Sequence, residues 1–347
     1  MPAMRVEHDV PLAPFTTLRL GGPARNLVTA ETAEEVVAVV RDADEPLLLI
    51  AGGSNLVLPD AGWPGTVVRI ATRGVEVAAG RVLAQAGEDW EALVARCVAG
   101  RLAGVECLSG IPGSVGATPI QNVGAYGQEI AGVVARVRVY DRERDEVVDL
   151  GADECGFGYR TSAFKRAPGK RVVLEVELAL GEEGLAEPVR YAELAWTLGV
   201  AIGERAALDR VRAAVLALRR GKGMVLDPCD ADTVSAGSFF TNPVLTDEQF
   251  GALRERAGQA HTQAPPAFPD AEGHVKTSAA WLIERAGFHR GYGHGRARIS
   301  SKHSLALTNR GGTTAELLAL AREIRDGVRK AFGVTLEPEP TLVGERL

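Results

Sequence analysis

Residues 110–127 constrain this chain more than any other stretch. Gly110-Ile111-Pro112-Gly113-Ser114-Val115-Gly116-Ala117 leads, after Ile120, to Gln121-Asn122-Val123-Gly124-Ala125-Tyr126-Gly127. Small residues over such a length lose backbone entropy on folding and bury little apolar surface in return. A ligand laid along the backbone accounts for that cost; a purely structural loop is the alternative. A shorter segment of the same kind, Ala51-Gly52-Gly53-Ser54-Asn55-Leu56, directly follows the apolar run Leu47-Leu48-Leu49-Ile50. A turn there exposes successive N–H groups and makes a concavity for phosphate oxygens, with a plain tight turn as the alternative. It is neither G-x-G-x-x-G nor a Walker loop, because no Gly-Lys-Ser/Thr follows. A P-loop NTPase and an ordinary Rossmann dehydrogenase are therefore disfavoured. Glycine is abundant throughout, with 40 in 347 residues against about 24 at the usual share.

The rest of the composition narrows the class. At 46% hydrophobic and 24% charged, with net charge −6, the chain has the make-up of a globular protein without bulk attraction to nucleic acid or an anionic membrane. No apolar run approaches the roughly 18 residues that span a bilayer, and MPAMRVEHDV lacks the apolar core of a signal peptide. The expected place is the cytoplasm. Cys97, Cys107, Cys155 and Cys229 are too widely spaced for a zinc knuckle or a CxxC pair. His289, His294 and His303 fall near one another without any H-E-x-x-H or H-x-H pattern, so no metal is expected.

Periodicity places helices and strands around these loops. Thr32-Ala33-Glu34-Glu35 reads as a capping box before a helix with Ala33, Val36, Val37 and Val40 on one face. Asp89 caps a helix with Trp90, Leu93, Val94 and Cys97, which Gly100 ends. Residues 133–140 and 146–150 flank a charged turn as a hairpin, and Val172, Leu174, Val176 and Leu178 alternate as a half-buried strand. Leu208, Val211, Val215 and Leu218 mark a helix that carries Arg210, Arg212 and Arg219 on its other faces. Thr313-x-x-Glu316 caps a longer helix, which Gly333 stops. The class is α+β. Length sets a prior of two or three domains, with regions 1–70, 71–222 and 223–347 and the last few residues free to return to the first.

Six segments in order, the two glycine-rich loops among them, carry a resemblance. They are Thr16-Thr17-Leu18-Arg19-Leu20-Gly21-Gly22-Pro23-Ala24, the two glycine-rich loops, Phe157-Gly158-Tyr159-Arg160-x-Ser162-x-Phe164-Lys165, Ala236-Gly237-Ser238-Phe239-Phe240-x-Asn242-Pro243, and Leu336-Glu337-Pro338-Glu339. Together they resemble the UDP-N-acetylenolpyruvoylglucosamine reductases, over nearly the whole chain. The resemblance implies an FAD-binding domain of the vanillyl-alcohol-oxidase/p-cresol-methylhydroxylase type, made of two subdomains (1–70 and 71–222). It also implies a C-terminal α+β substrate-binding domain (223–347). NADPH would supply a hydride through non-covalently held FAD to the enolpyruvyl double bond of the UDP-sugar. The product is UDP-N-acetylmuramate, a peptidoglycan precursor on which the cell wall, cell shape and division depend.

The resemblance also implies roles for residues. Hydride arriving at the terminal carbon pushes negative charge onto its neighbour and the carboxylate, which needs preorganised donors and a proton source. Arg160 matches the arginine that binds the substrate carboxylate, and its fork suits that group better than lysine. Glu339 matches a carboxyl near the same centre, useful there only when protonated. Ser238 matches the proton donor. FAD would lie on Gly52, Gly53, Ser54, Asn55 and Leu56 and on Gly113, Ser114, Val115, Gly116, Ala117, Ile120, Asn122, Gly124, Ala125 and Tyr126. Tyr126, Arg160, Tyr191, Lys222, Asn242 and His303 match positions that reach the UDP-sugar. Gly223-Met224-Val225-Leu226 replaces the family's Lys-Leu-Pro stretch, and Pro340-Thr341 stands where an Arg often follows the catalytic Glu motif.

Rival readings differ in what they predict. Another FAD-dependent oxidoreductase of the same fold, acting on a sugar or alcohol, would reoxidise with oxygen and ignore the UDP-sugar. A non-catalytic nucleotide-binding protein would bind without turnover. A nucleic-acid binder using residues 205–222 lacks interleaved aromatics. A monomer without nucleic-acid or membrane partners is expected.

Overall fold

Thr32 begins the first helix as its side chain dictates. Its hydroxyl accepts from Glu35 N at 3.2 Å while the Glu35 carboxylate accepts from Thr32 N at 3.3 Å, closing the capping box. The geometry is that of a computed structural model, in which residues 5–43, 46–269 and 273–347 are described. The first four residues of the start read above for a targeting signal lie outside them. The chain divides into two units. One comprises Met1–Pro11, Pro23–Gly53 and Trp63–Val225; the other comprises Leu12–Gly22, Ser54–Gly62 and Leu226–Leu347.

In the first unit a four-stranded sheet runs in the order Val6–Pro11, Pro23–Ala30, Trp63–Ile70, Leu47–Ile50. The first pair is antiparallel and the other two are parallel. Val36 and Val40 of the helix Ala33–Asp42 bury against Ala30 and Val68, and against Tyr140, Val172 and Leu174. That packing sets the exit of Leu47–Ile50 into Gly52-Gly53. A five-stranded antiparallel sheet follows in the order Glu146–Gly151, Val134–Asp141, Arg171–Ala179, Arg81–Gln85, Val75–Ala78. One face buries Val137, Val139, Val176 and Leu178 with Trp90, Leu93, Val94 and Cys97 of the helix Trp90–Ala99. The other face is laced by ion pairs such as Arg136–Glu177 at 2.8 Å and Arg138–Asp149 at 2.8 Å.

Helices Ala192–Leu198 and Leu208–Gly221 form a smaller core with Cys107 and Val189. Here the structure corrects one assignment. Arg219, expected on another face, is buried beside Leu208, Val211 and Val215, while Leu218 packs half-buried against the same core as expected. Residue 219 lies four after Val215, so a helical face admits either neighbour, and the sequence pattern favours the apolar one.

In the second unit Ser235–Ser238, Ala306–Asn309 and Ala297–Ile299 form a three-stranded antiparallel sheet. The helix Thr314–Phe332 lays Leu317, Leu318, Ala321, Ile324, Val328 and Phe332 into its core. Thr313 and Glu316 close a second capping box, and Gly333 ends the helix at φ +75°, where a side chain would be strained. Leu56–Val57 pairs in parallel with Thr341–Leu342. Among the described residues no helix is long and apolar enough to cross a membrane.

Candidate functional site

Within the first unit, Gly52 of the shorter glycine-rich loop meets Gly113 of the longer one. A Cβ at Gly52 would stand 2.6 Å from Gly113 Cα, so only glycine permits the backbones to approach this closely. The second loop is held from several sides. Val115 N donates to Glu88 O and Gly116 N to Ala86 O, both at 2.9 Å, and the Gly110 N–H donates to the Glu91 carboxylate. In this scaffold Ser114 is 4% exposed, and its Oγ is buried with no hydrogen-bond partner among the described residues. An orphaned buried hydroxyl costs about 1–3 kcal/mol, so its presence in this loop points to a polar ligand that completes it.

Farther along the loop Asn122 (φ +49°) and Tyr126 (φ +49°) adopt left-handed backbone, as does Arg160 (φ +53°) in a separate turn. Such conformations cost on the order of 1–3 kcal/mol and persist only where the surroundings impose them. Here the surroundings are a shared network. Arg160 Nη2 donates to Gly124 O at 2.7 Å, and Asn122 Nδ2 donates to Gly158 O at 3.1 Å and to Glu129 at 2.8 Å. Asn122 Oδ1 accepts from Ala131 N at 3.1 Å. Ser162, fully buried, donates to Ile120 O at 2.5 Å and caps the helix Ala163–Arg166. The Arg160 turn is thus tied to the loop at several points.

Tyr126 and Tyr191 meet edge to face, with centroids 5.3 Å apart. Lys222 Nζ lies 5.6 Å from the Tyr126 ring and 2.6 Å from a Glu193 oxygen. Burial pushes the Tyr126 phenol up to about 12. Arg219 is 8% exposed and donates to Met224 O at 2.9 Å and Gly110 O at 3.3 Å; among the described residues it forms no ion pair and its Nε has no partner. Burial lowers its pKa to about 10, so the group stays charged at neutral pH. A buried guanidinium bonded only to carbonyls is the feature that the sequence reading missed. The signal was its place on the helical stripe, four residues after Val215.

The remaining residues belong to the second unit. Glu339 N donates to Phe239 O at 2.9 Å, Thr241 N to Glu337 O at 3.0 Å, and Phe240 bridges Pro338. These bonds bring the segment of Glu339 alongside the strand end that carries Ser238; both residues are half-buried. Asn55 joins the same ladder, its carbonyl accepting from Thr341 N at 2.9 Å. Thr17 Oγ1 donates to Ser235 O at 2.7 Å, which braces the start of that strand. Asn242 accepts from Ala279 N at 2.9 Å, and the His303 backbone is held by Ser300 Oγ at 3.2 Å.

Residues 227–343 match the family of UDP-N-acetylenolpyruvoylglucosamine reductase, C-terminal domain, and residues 24–151 match an FAD binding domain. The UDP-N-acetylenolpyruvoylglucosamine reductase of Streptomyces coelicolor is 59% identical over 98% of this chain and 91% of its own. The chain belongs to the UDP-N-acetylenolpyruvoylglucosamine reductase family. The reductase of Thermobifida fusca is 55% identical over 98% of both chains. The solved structure of the Thermus caldophilus reductase superposes with a TM-score of 0.68 at 28% identity, covering 98% of this chain and 99% of that one.

The α+β class and an FAD-binding domain followed by the reductase C-terminal domain agree with what the sequence led us to expect. The residues present also fit FAD. The side-chain-free contact of Gly52 with Gly113 leaves backbone open to a ligand, and the orphaned Ser114 hydroxyl offers a hydrogen bond to a diphosphate oxygen. Cys107, just before the loop, is buried and its thiol is pushed up to about 12 by that burial. It is therefore no thiolate poised to tether a flavin.

Proposed function

We propose that this chain catalyses the NADPH-dependent reduction of the enolpyruvyl double bond of UDP-N-acetylglucosamine enolpyruvate to UDP-N-acetylmuramate, in peptidoglycan precursor synthesis. The structural observation that carries the chemistry is the Glu339 N–Phe239 O bond, which sets a carboxyl-bearing segment beside Ser238. FAD, when bound, relays the hydride of NADPH to the substrate double bond.

Residues 1–222 bind FAD, chiefly through Gly52, Gly53, Ser54, Asn55, Leu56 and the loop from Gly113 to Tyr126. Residues 223–347 supply substrate contacts. Arg160 takes the substrate carboxylate: its backbone strain and its bond to Gly124 O leave the planar fork little freedom. Ser238 donates the proton that quenches the carbanion, and protonated Glu339 stabilises the developing enolate. Tyr126, Tyr191, Lys222, Asn242 and His303 contact the UDP-sugar, Lys222 as the counter-charge for its diphosphate. The protein works as a cytoplasmic monomer, since nucleotide sugars and NADPH are held in that compartment; light scattering of the eluted protein tests its mass. The function itself is tested by NADPH oxidation on addition of the UDP-sugar, with the product weighed by mass spectrometry. A gain of two hydrogens is expected. NADPH oxidation indifferent to the UDP-sugar overturns the reading.

A further inference from the structure

Glu106 is a fully buried carboxylate with no lysine or arginine paired to it among the described residues. A buried carboxylate is tolerated only when its lone pairs are taken by donors. Here three donors come from three separate segments: Gly104 N at 2.6 Å, Gln128 Nε2 at 2.8 Å and Glu187 N at 3.0 Å. Gln128 answers with its own oxygen, which accepts from Cys107 N at 2.8 Å.

The segments so joined are the ones that carry the paired tyrosines. Gln128 lies two residues after Tyr126, and Glu187 lies four residues before Tyr191, whose ring meets that of Tyr126. On its other side the extended segment 186–189 bonds to the neighbouring excursion, through Ala186 N to Ala206 O, Val189 N to Glu204 O and Gly203 N to Val189 O. Gln128 and Glu187, both bonded to Glu106, line a cavity of about 330 Å³ together with Tyr126, Cys107 and Arg190. The carboxylate is thus the point at which the two walls of that cavity are pinned.

We propose that Glu106 is a positioning residue for UDP-sugar binding, one buried carboxylate setting the spacing of the segments that carry Tyr126 and Tyr191. The inference rests on the reading that Tyr191 touches the UDP-sugar. A glutamine at this position keeps one acceptor oxygen and turns an NH₂ group towards N–H donors, so at least one of the three anchors is lost.

The test is a double-mutant cycle on the full-length, FAD-loaded enzyme. Glu106→Gln is expected to raise the KM for the UDP-sugar roughly tenfold, the effect of one lost anchor, with kcat within about threefold. In a Tyr191→Ala background the same change should alter KM by less than about twofold. An equal factor in both backgrounds, or an unchanged KM, overturns the proposal. Should Glu106→Gln not fold, Gln128→Ala carries the same test, because it removes the link on the Tyr126 side, freeing Cys107 N, and leaves Glu187 N bonded to Glu106. Tyr191→Ala with an unchanged KM removes the substrate reading and this inference with it. A Tyr191 effect with an additive Glu106→Gln effect removes only the inference.

Discussion

Replacing Gly52 by alanine adds one methyl group where the two glycine-rich loops touch. Its carbon would lie 2.6 Å from Gly113 Cα, 2.8 Å from the Gly113 carbonyl carbon and 3.1 Å from Ser114 N. Carbon atoms rest about 3.5–4.0 Å apart, so backbone must move by roughly 1 Å, and no flexible side chain is available to yield instead. Overpacking of this kind costs about 1–3 kcal/mol. Where the loops form the FAD cradle, the cost falls on the bound state and the dissociation constant for FAD rises about five- to 150-fold. Deflavinated protein titrated with FAD, followed by the quenching of flavin fluorescence, reads this directly; melting of the apo-protein reads any share borne by folding. Gly258→Ala is the control. That glycine is helical with open space around it, so FAD affinity should hold and stability rise by about 0.5–1 kcal/mol. If neither affinity nor melting changes in Gly52→Ala, the packing argument fails. Lost stability with unchanged FAD affinity refutes the cradle.

Ser238→Ala should slow flavin reoxidation by the UDP-sugar by about two orders of magnitude or more while sparing reduction by NADPH; stopped-flow traces of the two half-reactions decide, and equal losses in both contradict the proton-donor role. Arg160→Lys keeps the charge but loses the fork, so the UDP-sugar half-reaction should weaken by roughly tenfold or more, and a wild-type rate there contradicts carboxylate binding. Of the four thiols, exposed Cys229 alone should react quickly with a disulfide reagent near neutral pH. Cys97, Cys107 and Cys155 are buried, and desolvation raises them to about 11, 12 and 11. Because these folded values exceed the ordinary 9.0, the stability they confer is complete below about pH 9 and is lost as pH rises through the folded values. Alkaline melting curves test that.

Local chemistry was the legible part of the fold. The capping boxes at Thr32 and Thr313 and the stop at Gly333 depend on residues within a few positions of one another, and the structure places them as their side chains require. The hairpin around 141–145 is local in the same sense, with Asp141 opposite Glu146. Long-range assembly left no such trace. Leu12–Gly22 and Ser54–Gly62 join a unit formed mainly by residues beyond 225, and that choice is made by contacts such as Leu56 with Thr341. Of the candidate site, the glycine-rich loops were visible because glycine there is a geometric necessity, as Gly52 against Gly113 shows. Arg219 and Glu106 were not. A charged residue reads as solvated until the structure shows which carbonyls or N–H groups enclose it.

The central claim is that one chain takes electrons from NADPH and gives them to the UDP-sugar through a bound flavin. An anaerobic visible spectrum of the purified protein tests it most directly, with NADPH added first and UDP-N-acetylglucosamine enolpyruvate second. The account predicts an oxidised-flavin band near about 450 nm that bleaches on the first addition and returns on the second. A band that bleaches and stays bleached when the UDP-sugar is added, or no band even after incubation with FAD, would contradict it.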